Sequence, residues 1–318
     1  MSGNMIWAFY MTLGEHMWQD ETSPAPGLYL PKAYSEEMRT ELEAWDEIIS
    51  FLPSQGINTV LIDVGDGVRL DSYPDIAVPN AWTKDFLRKK LDEMRALGLT
   101  PLPKLNFSSA HNAWMKQYRR MTATPAYYDF CREVIAEVCE LFGGPGYFHL
   151  GLDEEYPENQ RHKDMMIVRG AELWRHDSLF LFDCCEKNGA RPWIWSDYFW
   201  KYPEEFKSYM PKSVVQSNWF YFNMLANGKD CDPPGWERAF NAFGELEALG
   251  YDQIPTGSTW ANETANMQVV AHCKNTVAPE RLLGFMTAAW YSTEMRHIYT
   301  LKNDAHRLAL AKKENYPG

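Results

Sequence analysis

The strongest constraint on the fold is an alternation of eight short apolar segments, each followed by a stretch with helical spacing. The segments span residues 5–13, 59–64, 100–106, 147–152, 192–197, 214–221, 253–260 and 282–290. Eight βα units in 318 residues are typical of a (β/α)8 barrel. An open, doubly wound sheet is the alternative architecture, but the chain has neither the G-x-G-x-x-G nor the P-loop motif that would favour it.

The stretches between the apolar segments carry helix signals. Apolar residues at positions 38, 42, 45, 49 and 52 lie on one helix face, and Ser35 is the predicted N-cap. Thr124 and Pro125 are residue types preferred at the N-cap and the first position of a later helix. No Pro/Ser-rich linker or charge block divides the chain, so we expect an α/β fold with one (β/α)8 domain over residues 1–318.

Charge and hydropathy exclude several classes of partner. The chain has 31 Lys and Arg against 43 Asp and Glu, a net charge of −12, which disfavours nucleic acid and anionic membrane surfaces as partners. No apolar run approaches the ~18–20 residues needed to span a bilayer. The first residues of the sequence show no basic region and no signal-peptide cleavage site, which predicts a cytoplasmic protein. A secreted form whose leader was removed is the alternative.

Aromatic and sulfur-containing residues add two expectations. The 13 Trp, 17 Tyr and 16 Phe supply flat rings that suit stacking on sugar faces, although large aromatics in the core are the other explanation. The six cysteines form no C-x-x-C pair and show no zinc-like spacing, so we expect reduced, buried thiols.

Polar residues at the ends of predicted strands are the candidates for chemistry, because barrel active sites lie at the C-terminal ends of the strands. Asp153, Glu154 and Glu155 follow the fourth strand directly. Like charges at close range raise one carboxyl pKa, which suits a general acid. Neighbouring residues on a strand point to opposite faces, so Asp153 and Glu154 share the mouth only if the strand ends or bends, as Gly151 permits. Glu155 would be a further charge beside the pair or would face water.

The fourth strand also carries a resemblance. Residues 147–154 read Tyr-Phe-His-Leu-Gly-Leu-Asp-Glu, which resembles the H-x-G-G-D-E motif of family-20 glycoside hydrolases, the β-N-acetylhexosaminidases, with Leu152 in place of the second Gly. In shorter matches, Trp195 resembles the strand-five Trp of that family, residues 221–223 its Y-x-D and residues 290–292 its W-x-E. The likeness runs roughly from the third to the eighth strand, and only the fourth-strand motif is specific.

The resemblance implies a retaining exo-glycosidase that releases β-linked N-acetylhexosamine, GalNAc or GlcNAc, by substrate-assisted catalysis. Asp153 would orient the 2-acetamido group while its carbonyl oxygen attacks the anomeric carbon. Glu154 would protonate the leaving oxygen and then activate water, and Tyr221 would donate to the acetamido oxygen. The sugar would be walled by Trp195, Trp260 and Trp290. No cofactor is required, and the partner would be a carbohydrate with a terminal N-acetylhexosamine.

The chain departs from the family where the sugar hydroxyls are gripped. The predicted first strand lacks the family's Arg, Asn223 stands for the Asp of Y-x-D, and Ser292 stands for the Glu of W-x-E. Residues 106–111 replace the family's D-x-P-G-H and end in His111. His111 and Asn223 remain candidate substrate contacts. The candidates to replace the Arg are Glu15, His16, Asp63 and Lys104, with ordinary polar residues of the barrel rim as the other explanation. Recognition of hydroxyls discriminates strongly between sugars, so we expect the same chemistry on a different sugar or linkage.

Two other functions stay open. A metal-dependent hydrolase could gather histidines with Asp63 or Asp153 around a divalent ion, although no H-E-x-x-H and no H-x-H on the first strand is present. Its candidate histidines are His16, His111, His149 and His162. A barrel that binds sugars without cleaving them would account for the missing Arg, but it leaves the retained Asp153 and Glu154 unexplained.

Overall fold

The structure is a computed structural model that describes residues 5–14, 34–161 and 163–317. Its main feature is an eight-stranded parallel sheet with the neighbour order β7-β8-β1-β2-β3-β4-β5-β6. The strands are β1 (Ile6–Thr12), β2 (Thr59–Asp63), β3 (Thr100–Lys104), β4 (Tyr147–His149), β5 (Arg191–Trp195), β6 (Val215–Ser217), β7 (Thr256–Gly257) and β8 (Gly284–Ala288). Parallel bridges from Gln216 to Gln253 and from Trp219 to Thr256 join β6 to β7 and close the ring. The predicted (β/α)8 barrel is confirmed.

Helices follow the strands and surround the ring. They are α1 (Leu42–Phe51), α2 (Lys84–Ala96), α3 (Pro125–Leu141), α4 (Ala171–Lys187), α5 (Asp197–Lys201), α6 (Pro203–Tyr209), α7 (Glu237–Ala248), α8 (Ala265–Thr276) and α9 (Ile298–Asn315). Short strand pairs also join residues 68–69 to 82–83 and residues 223–224 to 231–232. Among the described residues, no helix combines the length and the hydropathy needed to cross a bilayer.

The strands separate two apolar layers, as the alternation of side chains along a strand requires. In β1, Ala8 and Tyr10 belong to the cluster inside the barrel, whereas Trp7, Phe9 and Met11 pack in the layer between strands and helices. The inner cluster contains large rings from β5, Trp193 and Trp195, so the barrel interior is a filled core. The site therefore has to lie above this core, at the end of the barrel where the strands finish.

Two helix starts test the sequence reasoning. Thr124 caps α3 as predicted, because its side chain accepts from the Tyr127 N–H and Pro125 is the first helical residue. Ser35 does not cap α1, which begins only at Leu42 after Glu41. In the segment between Ser35 and Leu42, backbone N–H groups bond to neighbouring loops and form no helical turn. The Met38 N–H donates to Asn80, and the Glu41 N–H donates to the Thr293 carbonyl. The six cysteines are buried and free, as expected.

Candidate active site

The loop after β4 places two adjacent carboxylates on the same side of the chain. The strand ends at His149, and Gly151, Leu152 and Glu154 all have left-handed backbone conformations, with φ of 71°, 65° and 55°. This turn breaks the strand alternation, so Asp153 and Glu154 both reach the same cavity at the barrel mouth. Gly151 is required there, because a Cβ on it would lie 2.0 Å from the Asn106 Oδ1 atom.

Asn106 fastens this turn from the end of the neighbouring strand. Its side-chain carbonyl accepts from the N–H groups of Ser108 (3.0 Å) and Leu152 (3.3 Å). Its amide nitrogen donates to the Asp153 Oδ1 atom at 2.9 Å. One buried amide thus holds both the loop and the carboxylate in place, and Asp153 has little freedom to turn away from the cavity.

His111 joins the two carboxylates. Its Nε2 atom lies 3.3 Å from the Asp153 Oδ2 atom and 3.1 Å from the Glu154 Oε2 atom, while its side chain is only 1 % exposed. Burial alone would lower the pKa of His111, but Asp153 and Glu154 raise it to about 9. His111 therefore carries a positive charge between two acids at neutral pH.

The same cation acts on Asp153. Burial alone would raise its pKa, but the charge and hydrogen bond of His111, the charge of Lys104 and the hydrogen bond from Asn106 lower it to about 2. Asp153 is therefore ionised across the physiological range. The side chain of Glu154, by contrast, is 34 % exposed and opens into the cavity.

A third carboxylate, Asp197, lies behind the pair and was not among the predicted site residues. Its Oδ2 atom accepts from the backbone N–H of Glu154 at 2.8 Å, and its Oδ1 atom accepts from the Trp219 Nε1–H at 3.4 Å. Burial and the nearby charge of Asp153 raise the pKa of Asp197 well above its ordinary value. Its position two residues after Trp195, at the end of β5, is the sequence signal that could have found it.

Glu155 also has a clear role. Its buried carboxylate is held by the Arg169 guanidinium, which donates from Nε at 2.9 Å and from a second nitrogen. The same guanidinium contacts the buried Asp177 at 3.2 Å and the Phe107 carbonyl at 3.1 Å. Glu155 thus neither faces water nor leaves its charge unbalanced: it ties the loop after β4 to α4 and to the loop after β3.

The cavity at the barrel mouth has a volume of about 380 Å³. Asp153, Glu154 and four of the predicted contacts line it, namely Trp195, Tyr221, Trp260 and Trp290. Its remaining lining residues, which the sequence did not single out, are Asn159, Trp219, Phe222 and Trp236. Seven aromatic side chains, one of them the phenol of Tyr221, thus enclose two carboxylates and one amide, a composition that suits a sugar ring held by its faces.

Two predicted substrate contacts do not line this cavity. His111 lies beneath the carboxylates, where it bonds to them. Asn223 lies in the short strand pair beyond β6, and its side-chain carbonyl accepts from the Gln268 Nε2 atom at 2.5 Å. His111 therefore shapes the site through the two carboxylates, whereas the side chain of Asn223 is engaged with Gln268.

The candidates to replace the strand-one Arg have different outcomes. Asp63 and Lys104 are 1 % and 0 % exposed and form an ion pair with each other inside the barrel, where Tyr10 donates to Asp63 at 2.8 Å. They are adjacent in the register of β2 and β3, which explains the pairing. Neither lines the cavity. Glu15 and His16 lie outside the described residues.

One cluster in the described part of the chain could hold a metal ion. Ligand atoms of His111, Asp153 and Glu154 lie within 4.8 Å of one another. Metal coordination requires a neutral imidazole, so an ion here would have to displace the proton that the raised pKa of His111 retains. His149 is a core residue instead: it accepts from the Gly151 N–H at 3.0 Å and packs on Trp193 and Trp195. His162 lies outside the described residues.

Comparisons with known proteins agree with this architecture. No protein-family model matches the sequence, and no curated protein matches it either. Among solved structures, the chain resembles dispersin B with a TM-score of 0.62 at 12 % identity, covering 99 % of this chain and 100 % of that one. It resembles the chitobiase of Flavobacterium johnsoniae with a TM-score of 0.59 at 14 % identity, covering 87 % of this chain.

A third neighbour is the family-20 exo-β-N-acetylglucosaminidase of Vibrio harveyi, solved in complex with N-acetylglucosamine (TM-score 0.59, 15 % identity, 98 % of this chain). The chain spans 51 % of the length of the Flavobacterium protein and 57 % of the Vibrio protein. At these identities the likeness concerns the fold. The chain has a (β/α)8 fold like that of the family-20 β-N-acetylhexosaminidases.

Proposed function

We propose that the chain is a retaining exo-glycosidase that releases β-linked N-acetylhexosamine, GalNAc or GlcNAc, by substrate-assisted catalysis. The observation that carries the proposal is the pair Asp153 and Glu154, both reaching one aromatic-walled cavity and joined beneath by His111. The fold shared with β-N-acetylhexosaminidases supports it. When two carboxyl groups have different environments, one can act as the acid while the other stays ionised and stabilises positive charge.

Asp153 suits the second of these roles. Its low pKa keeps it ionised, and its oxygens are already held by Asn106 and His111. An ionised, fixed carboxylate can accept the N–H of a 2-acetamido group, hold the acetamido oxygen against the anomeric carbon, and stabilise the positive charge that develops as this oxygen attacks. The group attacks as part of the substrate, so the protein needs no nucleophile of its own.

Glu154 suits the acid and base role. It is the more exposed member of the pair, so it can reach the glycosidic oxygen in the cavity. As the bond to the leaving group breaks, Glu154 gives this oxygen a proton; in the second step it takes a proton from the water that opens the cyclic intermediate. The hydrogen bond from the Glu154 N–H to Asp197 fixes the backbone of the acid, and the contact with His111 fixes its carboxylate.

Tyr221 and the indoles complete the proposed sugar site. Burial raises the pKa of Tyr221 well above its ordinary value, so its hydroxyl remains a donor, as an acetamido oxygen requires. Trp219 stacks on Tyr221 with ring centroids 4.8 Å apart and keeps the phenol in place. Aromatic walls also exclude water, which strengthens the electrostatic interactions inside the cavity.

The test uses 4-nitrophenyl N-acetyl-β-galactosaminide and N-acetyl-β-glucosaminide, since the missing Arg leaves the choice between the two sugars to experiment. We expect turnover of at least one. Glu154→Gln should lower kcat by about 10²- to 10⁴-fold on a disaccharide with a terminal β-linked N-acetylhexosamine, whose sugar alcohol is a poor leaving group, because this is the contribution typical of a general acid. Glu158→Gln, an exposed glutamate of the same loop, is the matched control and should keep wild-type rates. Wild-type activity of Glu154→Gln on the disaccharide would refute the assignment.

The metal-dependent alternative has one observation in its favour, the spacing of His111, Asp153 and Glu154. Substrate-assisted catalysis predicts inhibition by a thiazoline that mimics the cyclic intermediate, and activity that survives EDTA. Activity that is lost with EDTA, restored by a divalent ion and indifferent to the thiazoline would establish the metal-dependent function instead. Binding of N-acetylhexosamines without any turnover would indicate a sugar-binding barrel.

A further inference from the structure

A second cavity of about 300 Å³ adjoins the first at the barrel mouth. It is formed by segments that follow β4, β5 and β6, including residues of α5 and α7, and Trp236 lines both cavities. Tyr156, Trp200, Lys201 and Arg238 are among its other lining residues. A ligand held by its terminal sugar in the first cavity could therefore extend past the Trp236 ring into the second.

Lys201 is the charged group that this second cavity offers to a ligand. Its Nζ atom lies 4.1 Å from the centroid of the Tyr156 ring and 5.9 Å from that of Tyr202. Within the described ranges, no carboxylate lies within ion-pair distance of this ammonium group, and its side chain is exposed. The Tyr156 ring against the ammonium group holds it in position without neutralising its charge.

The other charged side chains near the cavity already have partners. Arg238 forms an ion pair with Glu245, and its Nε atom donates to the Trp200 carbonyl at 3.4 Å. The Glu237 carboxylate accepts from the backbone N–H groups of Gly235 (2.9 Å) and Cys231 (3.2 Å). Of the two cations that line the cavity, Arg238 therefore has a carboxylate partner and Lys201 has none among the described residues.

An indole platform beside an unpaired ammonium group is suited to a sugar that carries an anion. The indoles of Trp200 and Trp236 offer apolar area to a pyranose ring, and the ammonium group offers a donor and a charge to a carboxylate or a sulfate. A neutral sugar would use the rings alone. The site should therefore prefer an acidic sugar, with a preference that salt weakens because Lys201 is exposed.

We propose that the second cavity binds the sugar on the leaving-group side of the cleaved bond and selects an anionic one, a uronate or a sulfated sugar. This inference rests on the proposed function, because it takes the first cavity as the place of the terminal N-acetylhexosamine. Lys201 is the residue that determines the preference, and Trp236 separates the two sugar positions.

The experiment compares three disaccharides with the same terminal N-acetylhexosamine: one linked to glucuronate, one to a sulfated neutral sugar and one to the unmodified neutral sugar. The wild-type protein should show a kcat/KM about three- to fivefold higher for at least one anionic disaccharide than for the neutral one at low salt, the size expected of one exposed charge pair. The anion that gains more identifies the source. Lys201→Met keeps the stem over Tyr156 and should remove the preference. Lys207→Met, an exposed lysine of α6 paired with Glu204, is the control and should retain it.

The outcomes separate this inference from the proposed function. Equal rates on all three disaccharides, or a preference that survives Lys201→Met, would overturn the anionic site while the glycosidase assignment stands. If no N-acetylhexosaminide is cleaved, the proposed function fails, and calorimetric binding of the same disaccharides then decides: tighter binding of an anionic one, lost in Lys201→Met, supports the site, and equal binding overturns it.

Discussion

Gly151 gives the most quantitative test of how the site is built, because its surroundings allow a destabilisation to be worked out. An alanine Cβ there would lie 2.0 Å from the Asn106 Oδ1 atom and 2.9 Å from the Asn106 Cα atom, at a φ of 71°. The left-handed conformation costs a non-glycine residue about 1–2 kcal/mol, and overpacking adds about 1–3 kcal/mol. Gly151→Ala should therefore lower the free energy of unfolding by about 2–5 kcal/mol.

Gly146 is a matched control on the other side of β4. Its φ is 75°, but an added Cβ would meet nothing within 4 Å. Gly146→Ala should thus lose only the backbone component, about 1–2 kcal/mol. Urea unfolding of both variants, followed by circular dichroism, measures the difference that the contact with Asn106 contributes.

The same substitution should also lower activity, because Asn106 holds Asp153 as well as the turn. A displacement of about 1 Å in a reacting geometry can lower kcat/KM about 100-fold, so we expect a loss of that order in Gly151→Ala and wild-type kcat/KM in Gly146→Ala. Equal destabilisation of the two variants, or full activity in Gly151→Ala, would show that the turn does not position the carboxylate as described.

Three further predictions concern the groups around the carboxylates. Asp153→Asn should lower kcat/KM on 2-acetamido substrates by about 10²- to 10³-fold, as for the loss of one charge-stabilising group, and should weaken thiazoline inhibition; unchanged inhibition would contradict its role. The pKa of His111 is raised to about 9 from 6.5, so its stabilising contribution is full below pH 6.5 and is lost as the pH rises through about 9; the kcat/KM profile of the wild type should fall there, and His111→Asn should lack this limb. Arg169→Met leaves two buried carboxylates unpaired and should destabilise the protein by about 3–5 kcal/mol in urea unfolding, whereas Arg132→Met, which breaks a half-exposed pair, should change it by less than about 1 kcal/mol.

Much of the architecture could be predicted because it depends on local periodicity. The spacing of apolar residues located all eight strands, although the strands end earlier than their apolar runs: β4 stops at His149 while the run continues to Leu152. The early end is where the site begins, since the left-handed turn at Gly151 starts there. Gly151 was the sequence signal for that bend.

The rest depends on contacts between distant segments, which a periodic pattern does not encode. His111 could be expected near the mouth, but its place beneath both carboxylates depends on how the loop after β3 folds against the loop after β4. Arg169 bonds to Glu155, which lies 14 residues earlier in the sequence, and no periodic pattern of residues indicates this pairing. Asp63 and Lys104 were candidates to bind a sugar because they end their strands, yet the register of the two adjacent strands pairs them inside the barrel.

The central claim is that the substrate's own acetamido group attacks, with Asp153 supporting it and Glu154 transferring the proton. The most direct measurement compares wild-type hydrolysis of 4-nitrophenyl N-acetyl-β-hexosaminides with hydrolysis of the matching β-hexosides, which have a 2-hydroxyl group instead. We predict turnover of the acetamido sugars and almost none of the 2-hydroxy sugars. Faster cleavage of a 2-hydroxy sugar would contradict the neighbouring-group mechanism.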